Sequence, residues 1–102
     1  MKITKLNSAP KVPFDLDGRV LFSKENLEIV HLRMQVGEVI EVHKNPFDVM
    51  FWVLSGTATL RVENEEFVFG KNNLIEISSN ENREWKNTGN EIFEVLVVKL
   101  LK

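Results

Sequence analysis

Cysteine and tyrosine are both missing from this 102-residue chain. Without cysteine, no disulfide can brace the fold and no thiolate can hold a soft metal. Histidine is scarce, with only His31 and His43. Charge of one sign is not in excess: 13 Lys and Arg against 15 Asp and Glu give a formal net charge of −2. A nucleic-acid binder would show a basic surplus on one face or element, so that class of partner is not expected. No apolar run approaches the ~18 residues of a membrane span, and residues 1–5 lack the apolar core of a signal peptide. The chain reads as soluble and cytoplasmic, with neither nucleic acid nor membrane as partner. Its length suits one domain with one core and modest burial. A second copy of the chain is the expected source of extra burial.

Helical periodicity is also lacking, and alanine occurs only twice. What recurs is short apolar or alternating runs, broken by Gly, Asn and Pro. Residues 1–26 read as an N-terminal arm, with a short strand near Ile3 to Leu6 and another at Arg19 to Phe22, in the same domain as a barrel core over 27–102. In Leu27 to Met34, Val30, Leu32 and Met34 share one face while His31 and Arg33 share the other. Further strands are expected at 39–43, 49–54, 58–62, 66–69, 74–77, 84–86 and 92–101. About nine or ten short strands at roughly 8–12-residue spacing make an all-β sandwich or barrel. Val49 to Leu54 and Val95 to Leu101 are apolar on both faces, which implies that their outer faces are covered. The arm or a homodimer partner could cover them.

The stretch from Gly37 to Gly56 resembles the first motif of the cupin superfamily: an opening glycine, a His-x-His pair, a glutamate and a closing glycine. Gly37, His43 and Gly56 fill their positions; Asn45 stands at the second histidine and Val49 at the glutamate. Gly70 to Asn87 resembles the second motif, with Arg83 at its histidine and Asn87 at its closing asparagine. The resemblance covers about Leu27 to Leu101. It implies a double-stranded β-helix (jelly-roll) barrel, and in the family two His, a Glu and a third His converge on a divalent metal inside it. Here the four positions are His43, Asn45, Val49 and Arg83. Asparagine is a poor ligand for iron or zinc, valine cannot ligate, and a guanidinium repels a metal. No cofactor is therefore expected. A rescued divalent-metal site of His43, Asp48, Glu41 and Asn45 would need a bulge to swing Asp48 inward.

His43 suits a general base or residual ligand at the barrel mouth, or a structural histidine bonded to Asn45 or Asp48. Arg83 offers a planar fork to a carboxylate or phosphate. The default alternative is that it pairs with an internal carboxylate (Glu41, Asp48 or Glu76) or points to solvent. Asn45, followed by Pro46, is equally a turn signal. Phe51 faces the interior and Trp52 the opposite side, while Trp85 shares the face of Arg83. The leading expectation is a non-catalytic binding module for a small anionic molecule, with His43, Asn45, Phe51, Arg83 and Trp85 around the ligand. One alternative is a metal-dependent dioxygenase or sugar isomerase. Cofactor-free sugar-nucleotide epimerases of the same class use a tyrosine acid, which this chain lacks. The other alternative is a dimerisation module with a filled barrel.

Overall fold

The computed structural model describes residues 1–101, so Lys102, the last residue of the expected barrel core, lies outside the described residues. Nine strands form: β1 (Asp17–Lys24), β2 (Leu27–Met34), β3 (Val39–His43), β4 (Asp48–Ser55), β5 (Ala58–Val62), β6 (Glu65–Phe69), β7 (Leu74–Ile77), β8 (Arg83–Lys86) and β9 (Phe93–Leu100). They make two antiparallel sheets, in the order β1-β2-β9-β4-β7 and β3-β8-β5-β6. Consecutive strands repeatedly switch sheets, which is the winding of a double-stranded β-helix. No helix among the described residues is long and apolar enough to cross a membrane.

The strand expected near Ile3 to Leu6 is not formed. Leu6–Ser8 is instead a single 3₁₀ turn, closed by the Ser8 and Ala9 N–H groups on the carbonyls of Lys5 and Leu6. No neighbouring strand offers these residues a ladder, and Asn7 and Ser8 favour turn geometry.

Alternation decides what is inside. Val49, Phe51 and Val53 of β4 interleave with Phe93, Val95 and Val97 of β9, and all six are buried. Leu60 and Trp85 meet them from the opposite sheet. The other faces of β4 and β9 present Met50, Trp52, Leu96 and Val98 outward, partly exposed. Val12 of the arm packs on the interior-facing core.

Two motif residues hold the strand ends together. Gly56 has φ +81°, and a Cβ there would sit 2.5 Å from the Ile92 carbonyl oxygen, so only glycine passes. Asn87 is buried, and its amide nitrogen donates to the carbonyls of Met34 and Glu91, each at 2.9 Å. Its side-chain oxygen accepts the Gly89 N–H at 3.0 Å. One side chain thus ties the end of β2 to the turn between β8 and β9. Truncating it strands two buried carbonyls, so Asn87→Ala is expected to cost about 2 kcal/mol of unfolding free energy. Urea denaturation followed by tryptophan fluorescence measures this, and a loss within about 0.5 kcal/mol contradicts the clasp.

Candidate functional site in the barrel interior

Strand β8 carries the chemistry because of its alternation. Arg83 and Trp85 are buried, while Lys86 is exposed and Glu84 takes an outward ion pair with Arg61 at 3.3 Å. Across the β3–β8 ladder, Ile40 faces Trp85 and His43 faces Arg83, with a register shift between them. That bulge is why two β3 residues three apart both turn inward.

These side chains line a cavity of about 90 Å³. At about 30 Å³ of liquid volume per water, the space holds about three waters or an equivalent ligand group. The barrel is open at this mouth, while Val53, Leu60 and Phe93 fill the interior beyond it. Its walls are mainly apolar, with Val30, Leu32 and Val97 beside Phe51 and Trp85. Arg83 is 7% exposed, and its guanidinium carbon lies 5.4 Å from the centre of the Phe51 ring. Among the described residues, no carboxylate comes within 4.0 Å of it. The expected pairing with Glu41, Asp48 or Glu76 does not occur. Each is exposed: Glu76 lies outward on β7, Glu41 lines the cavity without reaching the guanidinium, and Asp48 accepts the Ser79 N–H at 2.8 Å.

The polar contact of Arg83 is with His43, Nη2 to Nε2 at 3.4 Å. Arginine only donates, so this is a hydrogen bond when Nε2 is unprotonated. His43 is exposed at the barrel mouth as a whole, yet its ring is pushed below the usual histidine value. Partial burial of the ring contributes most and the Arg83 charge next. A hydrogen bond that the ring makes to the Asn45 side chain works in the opposite direction. Burial also lowers the Arg83 value, although a guanidinium keeps its charge. The Trp85 indole N–H is buried with no acceptor.

Of the five residues singled out, His43, Phe51, Arg83 and Trp85 come together on the cavity wall. Asn45 does not reach it and stands behind His43 as a bonding partner. Asp48 does not turn inward, because the β4–β9 register runs without a shift from Asp48 to Val53 and leaves Val49 as the inward residue. Among the described residues, no group of three or more His, Asp or Glu could hold a metal ion. The four family positions do not fit a divalent cation: one imidazole, one amide, one buried valine and one buried guanidinium offer a single good donor beside a fixed positive charge. Sequence reasoning missed Val12, Phe14, Leu16 and Lys99 as lining residues. Val12, Phe14 and Leu16 alternate, but among prolines that pattern does not separate a lining segment from a loop.

Comparison with known proteins places this geometry. The profile of the cupin domain matches residues 30–99, and the chain belongs to the cupin family. No curated protein matches it in sequence. A predicted oxalate decarboxylase from Thermotoga maritima superposes with a TM-score of 0.88 at 16% identity, covering 99% of this chain and 100% of that one. The polyketide cyclase RemF from Streptomyces resistomycificus superposes at 0.86 with 14% identity, covering 100% and 80%. An RmlC-like cupin from Methanocaldococcus jannaschii gives 0.84 at 22% identity, covering 98% and 90%. These likenesses establish a shared fold.

The His43 shift has a measurable sign. Its folded value lies below 6.5, so the unfolded chain binds the proton first as pH falls. Stability from this group is fully present above 6.5 and declines as pH falls toward the folded midpoint. An NMR titration of the His43 ring should give a midpoint below 6.5, moved upward in Arg83→Met. A wild-type midpoint at or above 6.5 contradicts the arrangement.

Proposed function

We propose that this cupin is a non-catalytic binding module for a small anion, held in the barrel by Arg83. The observation that carries the reading is a buried guanidinium on an apolar cavity wall with no carboxylate partner among the described residues. An uncompensated buried cation costs folding free energy. An arriving carboxylate offsets that cost through two parallel charge-assisted hydrogen bonds. His43 lies within reach of the same anion. A metal-dependent enzyme would require a cluster of ligands, and among the described residues no group of three or more His, Asp or Glu could hold a metal ion.

Isothermal titration with hexanoate and with the neutral hexanamide tests the reading. Hexanoate should bind and hexanamide should not. Arg83→Gln should weaken hexanoate by roughly 10-fold to 100-fold, the range for hydrogen bonds to a charged group. Absence of binding by any small carboxylate overturns the reading, as does one equivalent of transition metal in the purified protein by atomic emission.

A second proposal concerns the outer face of the larger sheet, where Trp52 is 36% and Leu74 56% exposed beside the half-buried Met50, Leu96 and Val98. Rows running Leu74–Trp52–Leu96 and Met50–Val98–Ile29 make one apolar surface across four strands. It is suited to a second copy of the chain in a homodimer. Light scattering after gel filtration should give twice the 11.8 kDa chain mass. Trp52→Lys with Leu96→Glu should give the monomer. A wild-type monomer overturns the proposal.

A further inference from the structure

We propose that the ligand of this barrel is an amphipathic monocarboxylate and that the N-terminal arm forms the wall that reads its apolar tail. The inference rests on the Arg83 reading and adds the ligand's class and the element that selects it.

The arm is fastened on both sides of its tip. Lys11 bridges Arg19 in antiparallel fashion, the Val12 N–H donates to Gly18 at 3.0 Å, and the Val20 N–H donates to the Pro10 carbonyl at 2.7 Å. Arg19 reaches back along the arm, with Nη1 donating to the carbonyls of Asn7 at 3.2 Å and Ala9 at 2.7 Å. Gly18 makes the close approach possible. A Cβ there would stand 2.7 Å from Leu32 Cδ2 and 2.9 Å from Val12 Cγ2, so one of these side chains would have to shift.

So anchored, the arm sends Val12, Phe14 and Leu16 to the same cavity that Arg83 lines. Phe14 nevertheless remains 69% exposed. An aromatic ring at a cavity wall with most of its surface still open gains when a ligand's apolar portion lies against it.

Charge narrows the class further. Lys99, the other cation on the cavity, is already taken by Glu28 at 3.1 Å. Glu41 adds a negative charge to the same lining. Among the described residues, a second anionic group on the ligand would meet a lysine already paired with Glu28 and the Glu41 carboxylate. Sugars and other polyols would leave hydroxyls unpaired against valine, leucine and phenylalanine. One carboxylate meets Arg83, and a short hydrocarbon or aryl tail meets the apolar walls.

NMR titration of the full chain, read on the Trp85 indole and His43 ring signals, tests this with acetate, butanoate, hexanoate and the dicarboxylate adipate. In the wild type, affinity should rise from acetate to hexanoate, and adipate should bind more weakly than hexanoate. Phe14→Ala, a change at an exposed side chain, should weaken hexanoate by about 10-fold, the lower end for lost contacts in an apolar pocket. It should leave acetate unchanged. Arg83→Gln should weaken all three monocarboxylates together. If none of the acids binds the wild type, the Arg83 reading itself fails. If they bind but Phe14→Ala leaves hexanoate untouched, or weakens acetate equally, the arm's role is overturned while anion binding stands. Adipate binding as tightly as hexanoate overturns the monoanion assignment.

Discussion

Side-chain alternation along β8, fixed by pairing with β3 on one side and β5 on the other, is the constraint on which the site depends. Trp85 lies opposite Ile40 and Leu60, and Arg83 opposite His43 and Val62. Trp85 packs at 5.0 Å from Phe93 and 5.4 Å from Phe51, ring centre to ring centre. That aromatic contact pins the register of β8, since a slip by one residue would expose Trp85 and bury Glu84. Arg83, two residues away, is carried to the interior by the same register.

The energetic consequence is a barrel that spends stability on a charge. Burying a cation without a counter-charge opposes folding, and the Phe51 ring beneath it returns only part of the loss. The depressed His43 value belongs to the same balance, because a second positive charge beside Arg83 is disfavoured. The Lys99–Glu28 pair shows the contrasting solution on the neighbouring wall, where a cation facing the cavity has its counter-charge directly across the ladder. At the family's ligand positions this chain thus carries one imidazole, one amide, one buried valine and one buried guanidinium, which puts a positive charge where the family places a metal donor.

Much of the fold could be read from the residues. The glycines at 37, 56 and 70, the two-residue periodicity and Asn87 carried the cupin resemblance, and strand limits mostly fell within a residue or two. The arm was read less well. Its alternating Val12, Phe14 and Leu16 look like loop residues among prolines until a surface exists for them to cover, and Leu6–Ser8 turned where a strand was expected. Among the residues singled out, Phe51, Arg83, Trp85 and His43 lie on one cavity wall, because they occupy family positions or share strand faces with those that do. Asn45 lies off that wall because it follows the bulged β3 strand, where alternation no longer predicts direction. Lys99 was overlooked because an interior lysine is made tolerable by Glu28, 71 residues away in sequence.

Local chemistry and period determined which residues form strands, which faces are apolar, and that the family's metal donors are mostly gone; these follow from neighbours in the chain and need no third dimension. Whether Arg83 would find an internal carboxylate, whether the barrel would be filled or hollow, and where the arm would lie were decided only by tertiary structure. Each depends on distances between residues far apart in sequence, set by strand register, one bulge in β3 and the close approach allowed at Gly18. A carboxylate a few ångströms nearer would have made Arg83 a structural ion pair. Left without one, it remains a positive charge facing an apolar cavity.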